Sequence, residues 1–192
     1  MRLIMIGPTN AGKGTQAAEI SARYDVPAIS TGAMLRQAVD EGSDLGQRVE
    51  SILKSGHLVD DETMARLVAA RLERDDTADG FLLDGYPRTL GQAETLREIL
   101  DERDEDLDAV VLLNVPDAEL IQRGLARGRE DDTEEVLQQR LTSYREDTEP
   151  LVGYYRESGL LVEVDGNRPI GEVTSRIFER LDGVASGDGV EA

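Results

Sequence analysis

The chain opens with MRLIMIGPTNAGKGTQ, and this stretch restricts what the rest can fold into more than any other. Arg2 to Ile6 form a short apolar run with β-branched members, followed at once by Gly7-Pro8-Thr9-Asn10-Ala11-Gly12-Lys13-Gly14-Thr15. A strand, a Gly-rich loop and then helical periodicity, in that order, make a phosphate loop. Glycines let backbone N–H groups converge, the following helix adds its positive N-terminal end, and Lys13 supplies a mobile point charge. The spacing Gly7-x4-Gly12-Lys13 fits the Walker A pattern, with Gly14 in the usual Ser/Thr slot and Thr15 one residue later. A polyphosphate is the natural occupant.

A strand ending in such a loop belongs to a parallel sheet, and the rest of the chain supplies one. Apolar strand patterns at Leu3–Ile6, Ala28–Ser30, Phe81–Asp84, Val110–Val115 and Leu160–Val164 alternate with amphipathic helical patterns. Most of these strands read as continuous apolar runs, as expected where helices cover both faces. The helical patterns span roughly Lys13–Tyr24, Gly32–Glu41, Leu45–Ser55, Asp61–Arg74, Leu90–Glu102, Ala118–Arg127, Thr133–Glu157 and Ile170–Leu181. The expected architecture is a single α/β domain over residues 1–192, three layers α/β/α around a five-stranded parallel sheet of the P-loop NTPase type. Gly42 and Gly46 split the pattern after the second strand into a small helical insert, residues 30–59. Residues 184–192 have no periodicity and read as a disordered tail.

Charge narrows the partners. Asp and Glu total 40 against 21 Lys and Arg, a net charge of −19, and Lys13 and Lys54 are the only lysines. Such a surface repels nucleic acid and acidic membranes, so neither is expected as a partner. No stretch approaches the roughly 20 apolar residues of a membrane span, and the N-terminus enters a fold-forming strand directly, so a cytoplasmic protein is expected. There is no cysteine and His57 is the sole histidine, which argues against a structural zinc site. The acidity is read either as an adaptation to high salt or as a compositional habit of the host.

Three further constellations carry chemistry. Asp84-Gly85-Tyr86-Pro87-Arg88 follows the strand Phe81-Leu82-Leu83, placing a carboxylate at the crevice end of a parallel strand. Asp84 there suits Mg2+ held through water, and Arg88 can aim a guanidinium at a phosphoryl group. Arg123 and Arg127 are four apart on one helix face, with Arg129 and Arg140 further along. Like charges so spaced repel, which points to an anionic ligand or to acidic neighbours such as Asp131 and Asp132. Ser30-Thr31-Gly32-Ala33-Met34-Leu35-Arg36 opens the insert and His57-Leu58-Val59 closes it, offering a second anion site with an apolar wall.

Taken in order, these motifs resemble adenylate kinase over almost the full length. The resemblance rests on the phosphate loop, STGAMLR, GFLLDGYPRT with Gln92, NVPDAELIQRGLARGR, DDTEEVLQQRL, TEPLVGYY and VDGNRP. Arg127 is followed almost at once by Arg129 and Asp131-Asp132-Thr133, so it is similar to the short-lid form, with residues 127–132 as a truncated lid and 1–29, 60–126 and 133–183 as the core. The resemblance implies the reaction ATP + AMP ⇌ 2 ADP with Mg2+, in a monomer. It implies that Asn10, Ala11, Gly12, Lys13, Gly14 and Thr15, with Arg123, Arg127 and Gly166, hold ATP. Thr31, Arg36, His57, Leu58, Val59, Gly85, Tyr86, Pro87, Arg88 and Gln92, with Arg129 and Arg140, would hold AMP. Lys13, Arg88, Arg123, Arg129 and Arg140 would act on the reacting phosphates, Asp84 on Mg2+ through water, and Asp131 and Asp132 as a lid latch.

Two positions depart from the family pattern. Thr9-Asn10 stands where Pro-Gly is usual, and an Asn side chain there threatens to crowd the phosphates. Ala33 replaces an acidic residue that helps hold Mg2+-bound water, which leaves Asp84 more of that task. Two other readings stay open: a UMP/CMP kinase, against which Gln92 argues because an amide matches the donor–acceptor edge of adenine, and a nucleotide-binding module without turnover.

Overall fold

The computed structural model describes residues 1–129 and 131–185. Five strands, β1 (Arg2–Ile6), β2 (Ala28–Ser30), β3 (Phe81–Asp84), β4 (Ala109–Asn114) and β5 (Leu161–Asp165), form one parallel sheet in the order β2-β3-β1-β4-β5. β4 and β5 each begin and end one residue away from the sequence expectation. The chain leaves the central strand β1 toward one edge for β2 and β3, then crosses to the other for β4 and β5. The carboxyl end of β1 therefore opens into the crevice where α/β sheets bind ligands.

The register explains why the strands lack a polar face. Leu3 lies between Leu82 and Ala109, and Ile4 between Leu83 and Val110. Leu3 and Met5 join one core with Ala17 and Ile20 of α1 (Lys13–Tyr24) and Val173, Ile177 and Leu181 of α9 (Ile170–Ala185). Ile4 and Ile6 join the other, with Val68 of α4 (Asp61–Leu72), Leu96 of α5 (Leu90–Asp101) and Leu151 of α8 (Pro150–Glu157). Successive side chains point to opposite faces, so a strand buried on both faces must be apolar throughout.

The insert is a pair of helices, α2 (Thr31–Asp40) and α3 (Asp44–Ser55). They cross so closely that a Cβ at Gly46 would stand 2.0 Å from the carbonyl oxygen of Ala38. Ser43 caps α3, its hydroxyl accepting from the Gly46 N–H at 3.1 Å.

Beyond β4, α6 (Asp117–Arg127) and α7 (Glu134–Ser143) flank the predicted short lid, of which Glu130 lies outside the described residues. The helix expected over Thr133–Glu157 is interrupted. After α7 comes a π turn, Tyr144–Thr148, and only then α8. Pro150 has no N–H to continue the ladder, and the Glu149 N–H reaches five residues back to Tyr144 O at 2.8 Å. The tail also differs from expectation. α9 continues to Ala185, with Val184 packed against the core, so the expected disorder from residue 184 is not found there; residues 186–192 lie outside the described residues. No described helix is long and apolar enough to cross a membrane.

Candidate active site

β1 ends at Ile6, and Gly7 turns the chain so close to β4 that a Cβ there would meet Leu113 O at 2.9 Å. Gly12, at φ 98°, precedes α1 without any side-chain cap, leaving the first N–H groups of the helix facing the loop. Asn10 adopts a left-handed φ of 64°, a conformation Asn tolerates better than most residues. Its amide is turned away from the loop interior and donates to Leu120 O on α6 at 3.0 Å. The departure becomes a strut between the phosphate loop and α6.

Lys13 folds back over its own loop, its ammonium donating to Gly7 O at 2.8 Å and Pro8 O at 2.7 Å. Burial lowers its pKa from 10.5 to about 8; Asp84 opposes the shift while Arg88 and Arg127 reinforce it. Among the described residues, two neutral carbonyls are its only hydrogen-bond acceptors, so an anion entering the loop would meet a cation that forms no salt bridge there.

The end of β3 faces this loop. Asp84 is register partner of Met5, and its carbonyl oxygen accepts from the Thr31 hydroxyl at 3.3 Å, joining β3 to the start of α2. Gly85, at φ 87°, lets Thr31 and Arg88 close in: a Cβ would stand 2.9 Å from Thr31 Oγ1. Arg88 Nε donates to Gly85 O at 2.9 Å and its backbone N–H to Gln92 Oε1 at 2.7 Å. Gln92, only 2 % exposed, lies in the first turn of α5, which Thr89 caps. Tyr86 is fully buried in the core, its hydroxyl donating to Gln92 O at 3.2 Å, so its ring supports the turn from beneath and is absent from the cleft wall. The Tyr86–Pro87 peptide is cis.

The remaining cations arrive from α6, α7 and the turn between them. Arg123 bonds Glu119, Gly166 O and Asn167 Oδ1, the last two at 3.2 Å each, which ties α6 to the turn after β5. Arg127 grips Asp132 with two hydrogen bonds, 2.9 and 2.6 Å, and Arg140 reaches both Asp132, at 3.2 Å, and Asp131. Burial raises the Asp132 pKa, but hydrogen bonds from Arg127 and the Arg129 backbone outweigh it and hold the carboxyl below its ordinary value. The acidic neighbours expected beside the arginines are therefore Asp131 and Asp132, which stand behind the guanidinium groups and outside the cleft wall. Arg36, Arg88 and Arg129 have no carboxylate partner among the described residues. Burial, Arg129, Arg127 and Arg140 push the Arg36 pKa down against Asp131. Arg88 keeps solvent access yet is crowded by the cleft walls, and desolvation and Arg140 push it the same way against Asp84.

The phosphate loop, the turn after β3 and the arginines of α2, α6, α7 and the lid border one cleft of about 900 Å³, near the upper end of ligand pockets at roughly 300–1,000 Å³. Of the residues singled out in the sequence, Asn10, Ala11, Gly12, Lys13, Gly14, Thr15, Thr31, Arg36, His57, Leu58, Val59, Asp84, Gly85, Pro87, Arg88, Gln92, Arg123, Arg127, Arg129, Arg140 and Gly166 line it. Only Tyr86, Asp131 and Asp132 do not. The cleft also draws on residues to which the sequence reading gave no individual role: Gln16, Met64, Ser143, Tyr144, Thr148 and the turn Arg168-Pro169-Ile170. Gln16 Nε2 donates to Ile170 O at 3.3 Å and its Oε1 accepts from Thr174 at 2.9 Å, fastening α9 to the phosphate-loop helix. A buried Gln one turn past the loop was the available signal. Tyr144 and Thr148 reach the cleft through the π turn, which the helical periodicity concealed.

The donor set also bears on a metal. Among the described residues no three His, Cys, Asp or Glu side chains cluster for an all-protein metal cage. One cleft carboxylate, Asp84, and the Thr15 hydroxyl fit an ion that keeps its waters and is brought in by phosphates, the habit of Mg2+.

Comparison with known proteins agrees with this geometry. The family model for adenylate kinase matches residues 5–160. The chain is 44 % identical over 181 residues to an adenylate kinase of Nocardia farcinica, covering 94 % of this chain and 99 % of that protein. It is 47 % identical over 180 residues to one of Parasynechococcus marenigrum, covering 94 % and 98 % respectively. An adenylate kinase of Archaeoglobus fulgidus is 39 % identical over 217 residues, covering 97 % of this chain and all of that protein. With a phosphate loop, a two-helix insert and a latched turn of arginines around one cleft, the chain belongs to the adenylate kinase family.

Proposed function

We propose that this chain catalyses the reversible, Mg2+-dependent transfer of the γ-phosphoryl group of ATP to AMP, giving two ADP. The observation that carries the reading is the charge of the cleft. In a protein of net charge −19, Lys13, Arg36, Arg88, Arg123, Arg127, Arg129 and Arg140 converge on one space, and four of them, Lys13, Arg36, Arg88 and Arg129, form no salt bridge among the described residues. Repulsion on this scale is relieved by several phosphates at once, and the volume admits two nucleotides.

The acceptor is a phosphate oxygen of AMP, already ionised, so no general base is needed. It attacks the γ-phosphorus, the bond to the β–γ bridging oxygen breaks, and the electron pair leaves with ADP. The protein's task is to align the two ends and to match the charge spread over the equatorial oxygens. The loop from Asn10 to Thr15 with Lys13 holds the donor phosphates, and Arg123, Arg127 and Gly166 border the rest of ATP. Thr31, Arg36 and Arg88 hold the acceptor phosphate, while His57, Leu58, Val59, Gly85, Pro87 and Gln92 border its nucleoside. Arg129 and Arg140 approach from the lid side. Asp84 through water, and the Thr15 hydroxyl, would hold Mg2+, which spreads the phosphate charge and fixes the donor's geometry.

Water competes as acceptor, so the cleft must close. Residues 30–59 and 127–132 are the segments we assign to closure, with Asp131 and Asp132 holding Arg140 and Arg127 ready until phosphates replace the carboxylates. One chain contains every group named, and we take the working unit to be a cytoplasmic monomer.

A coupled assay of ADP formation with AMP, UMP and CMP, with and without Mg2+, tests the reading. AMP should be the preferred acceptor and chelation should abolish turnover. Faster phosphorylation of UMP or CMP, or binding without turnover, would overturn it.

A further inference from the structure

The polar contacts of Gln92 contain a constraint that reaches outside the residues assigned above. Its Oε1 accepts from the backbone N–H of Arg88 at 2.7 Å, and its Nε2 donates to Asp61 Oδ1 at 2.8 Å. The second Asp61 oxygen accepts from the Thr89 hydroxyl at 2.9 Å, and Thr89 Oγ1 accepts in turn from the Gln92 backbone N–H at 3.1 Å. A backbone N–H can only donate and a carboxylate can only accept. Flipping the amide would set its oxygen against the carboxylate and its NH2 against the N–H, so its polarity is fixed by chemistry as well as by placement. One N–H and one oxygen lone pair of the amide have no partner among the described residues, and Gln92 borders the cleft.

Asp61 comes to this task from another element. It is the first residue of α4, directly after the stretch that closes the insert. Asp60 caps that helix, accepting from the Thr63 N–H at 2.8 Å, which leaves Asp61 free to cross to α5. Gly91 clears its approach, since a Cβ there would lie 3.1 Å from Asp61 Oδ2.

We infer that Asp61 is a positioning residue that sets the order of donor and acceptor on the Gln92 amide, and with it the choice of acceptor base. The inference rests on the AMP reading above. Adenine offers an amino donor beside a ring-nitrogen acceptor; hypoxanthine offers the reverse, a carbonyl acceptor beside a ring N–H donor. An amide locked one way discriminates between them, and an amide free to flip serves both.

Asp61→Ala removes one of the two contacts that order the amide and leaves the Arg88 N–H as the other, so the flipped amide becomes less costly, and Asp61→Asn restores the second contact, because Asn presents one oxygen to Gln92 and its NH2 to the Thr89 hydroxyl oxygen. With AMP and IMP as acceptors, Asp61→Ala should raise the KM for AMP about tenfold and lower the AMP-over-IMP ratio of kcat/KM about tenfold. Its kcat at saturating AMP and its KM for ATP should change less than about twofold. Asp61→Asn should return the ratio to within about threefold of the parent. A role confined to folding would lower the melting temperature and weaken both acceptors equally. An unchanged ratio in Asp61→Ala, or an Asn variant no better than Ala, overturns the assignment while leaving the reaction intact. If the parent protein does not phosphorylate AMP, the proposed reaction fails instead, and AMP and IMP affinities from calorimetry then decide the role of Asp61: equal losses, or no AMP binding, overturn it.

Discussion

At the scale of single residues, the charge state of Lys13 and the shape of Arg88 are the most exposed to test. Lys13 has a folded-state pKa of about 8 against 10.5 when unconstrained, so the unfolded chain binds more protons between these values and stability through this group rises with pH across that window. A polyphosphate in the loop supplies the missing counter-charge and raises the pKa again. ATP binding at about pH 9 should therefore take up a fraction of a proton, and at about pH 7 almost none. Calorimetry in buffers of differing ionisation enthalpy measures this, and Lys13→Met should abolish the difference. Arg88→Lys keeps the charge but loses the planar fork, and it should cut kcat about a hundredfold while changing KM for either nucleotide by less than about fivefold. Steady-state kinetics decide the point, and unchanged turnover would remove Arg88 from the catalytic set. The sequence singled out both residues because a Lys after Gly12 and an Arg after a strand-end turn have few other uses. It could not say that Tyr86 points into the core, or that Asn10 turns toward Leu120, because one turn sequence is compatible with either orientation.

At the scale of elements, the two-helix insert depends on one close crossing. Gly46 stands where a Cβ would be 2.0 Å from Ala38 O and 2.7 Å from Val39 Cα, and backbone cannot swing aside as a side chain does. Gly46→Ala should force α2 and α3 apart at a cost of about 1–3 kcal/mol. Because α2 carries Thr31 and Arg36 while the phosphate loop lies on another element, the KM for AMP should rise about tenfold and that for ATP about twofold or less. Thermal melting and paired KM measurements check this, and equal changes for both nucleotides would mean that the insert is not an independent unit of binding. The break at Tyr144–Thr148 shows the opposite limit. Helical periodicity runs across it, and Pro150, acceptable at the first turn of a new helix, does not announce a π turn before it.

At the scale of the whole molecule, acidity and cleft pull against each other. A net charge of −19 on 192 residues repels itself, and several of the few cations that could relieve it, Lys13, Arg36, Arg88, Arg123, Arg127, Arg129 and Arg140 among them, are committed to the cleft. Salt shortens the range of this repulsion, to about 3 Å at 1 M. The melting temperature should rise between low salt and molar KCl, with about 1 kcal/mol corresponding to roughly 2–4 °C for a chain of this size. Differential scanning calorimetry across KCl concentrations measures it, and a flat profile would show that the acidity is stability-neutral.

The sequence by itself determined the parallel sheet, the phosphate loop and the list of cations, because these depend on local patterns: apolar runs, glycine spacing, and charge types at fixed intervals. Even β2, three residues long, was legible from its place between a helix and a glycine. Only the tertiary structure decided which groups share the cleft and which side chains hold others in place. Asp61 and Gln92 are 31 residues apart, and Gln16 and Ile170 are 154 apart, and each pair meets because parallel strands bring distant helix ends to one edge of the sheet. Spacing along the chain cannot encode such contacts, since they arise from how helices pack across the sheet and not from any local preference of the residues that make them.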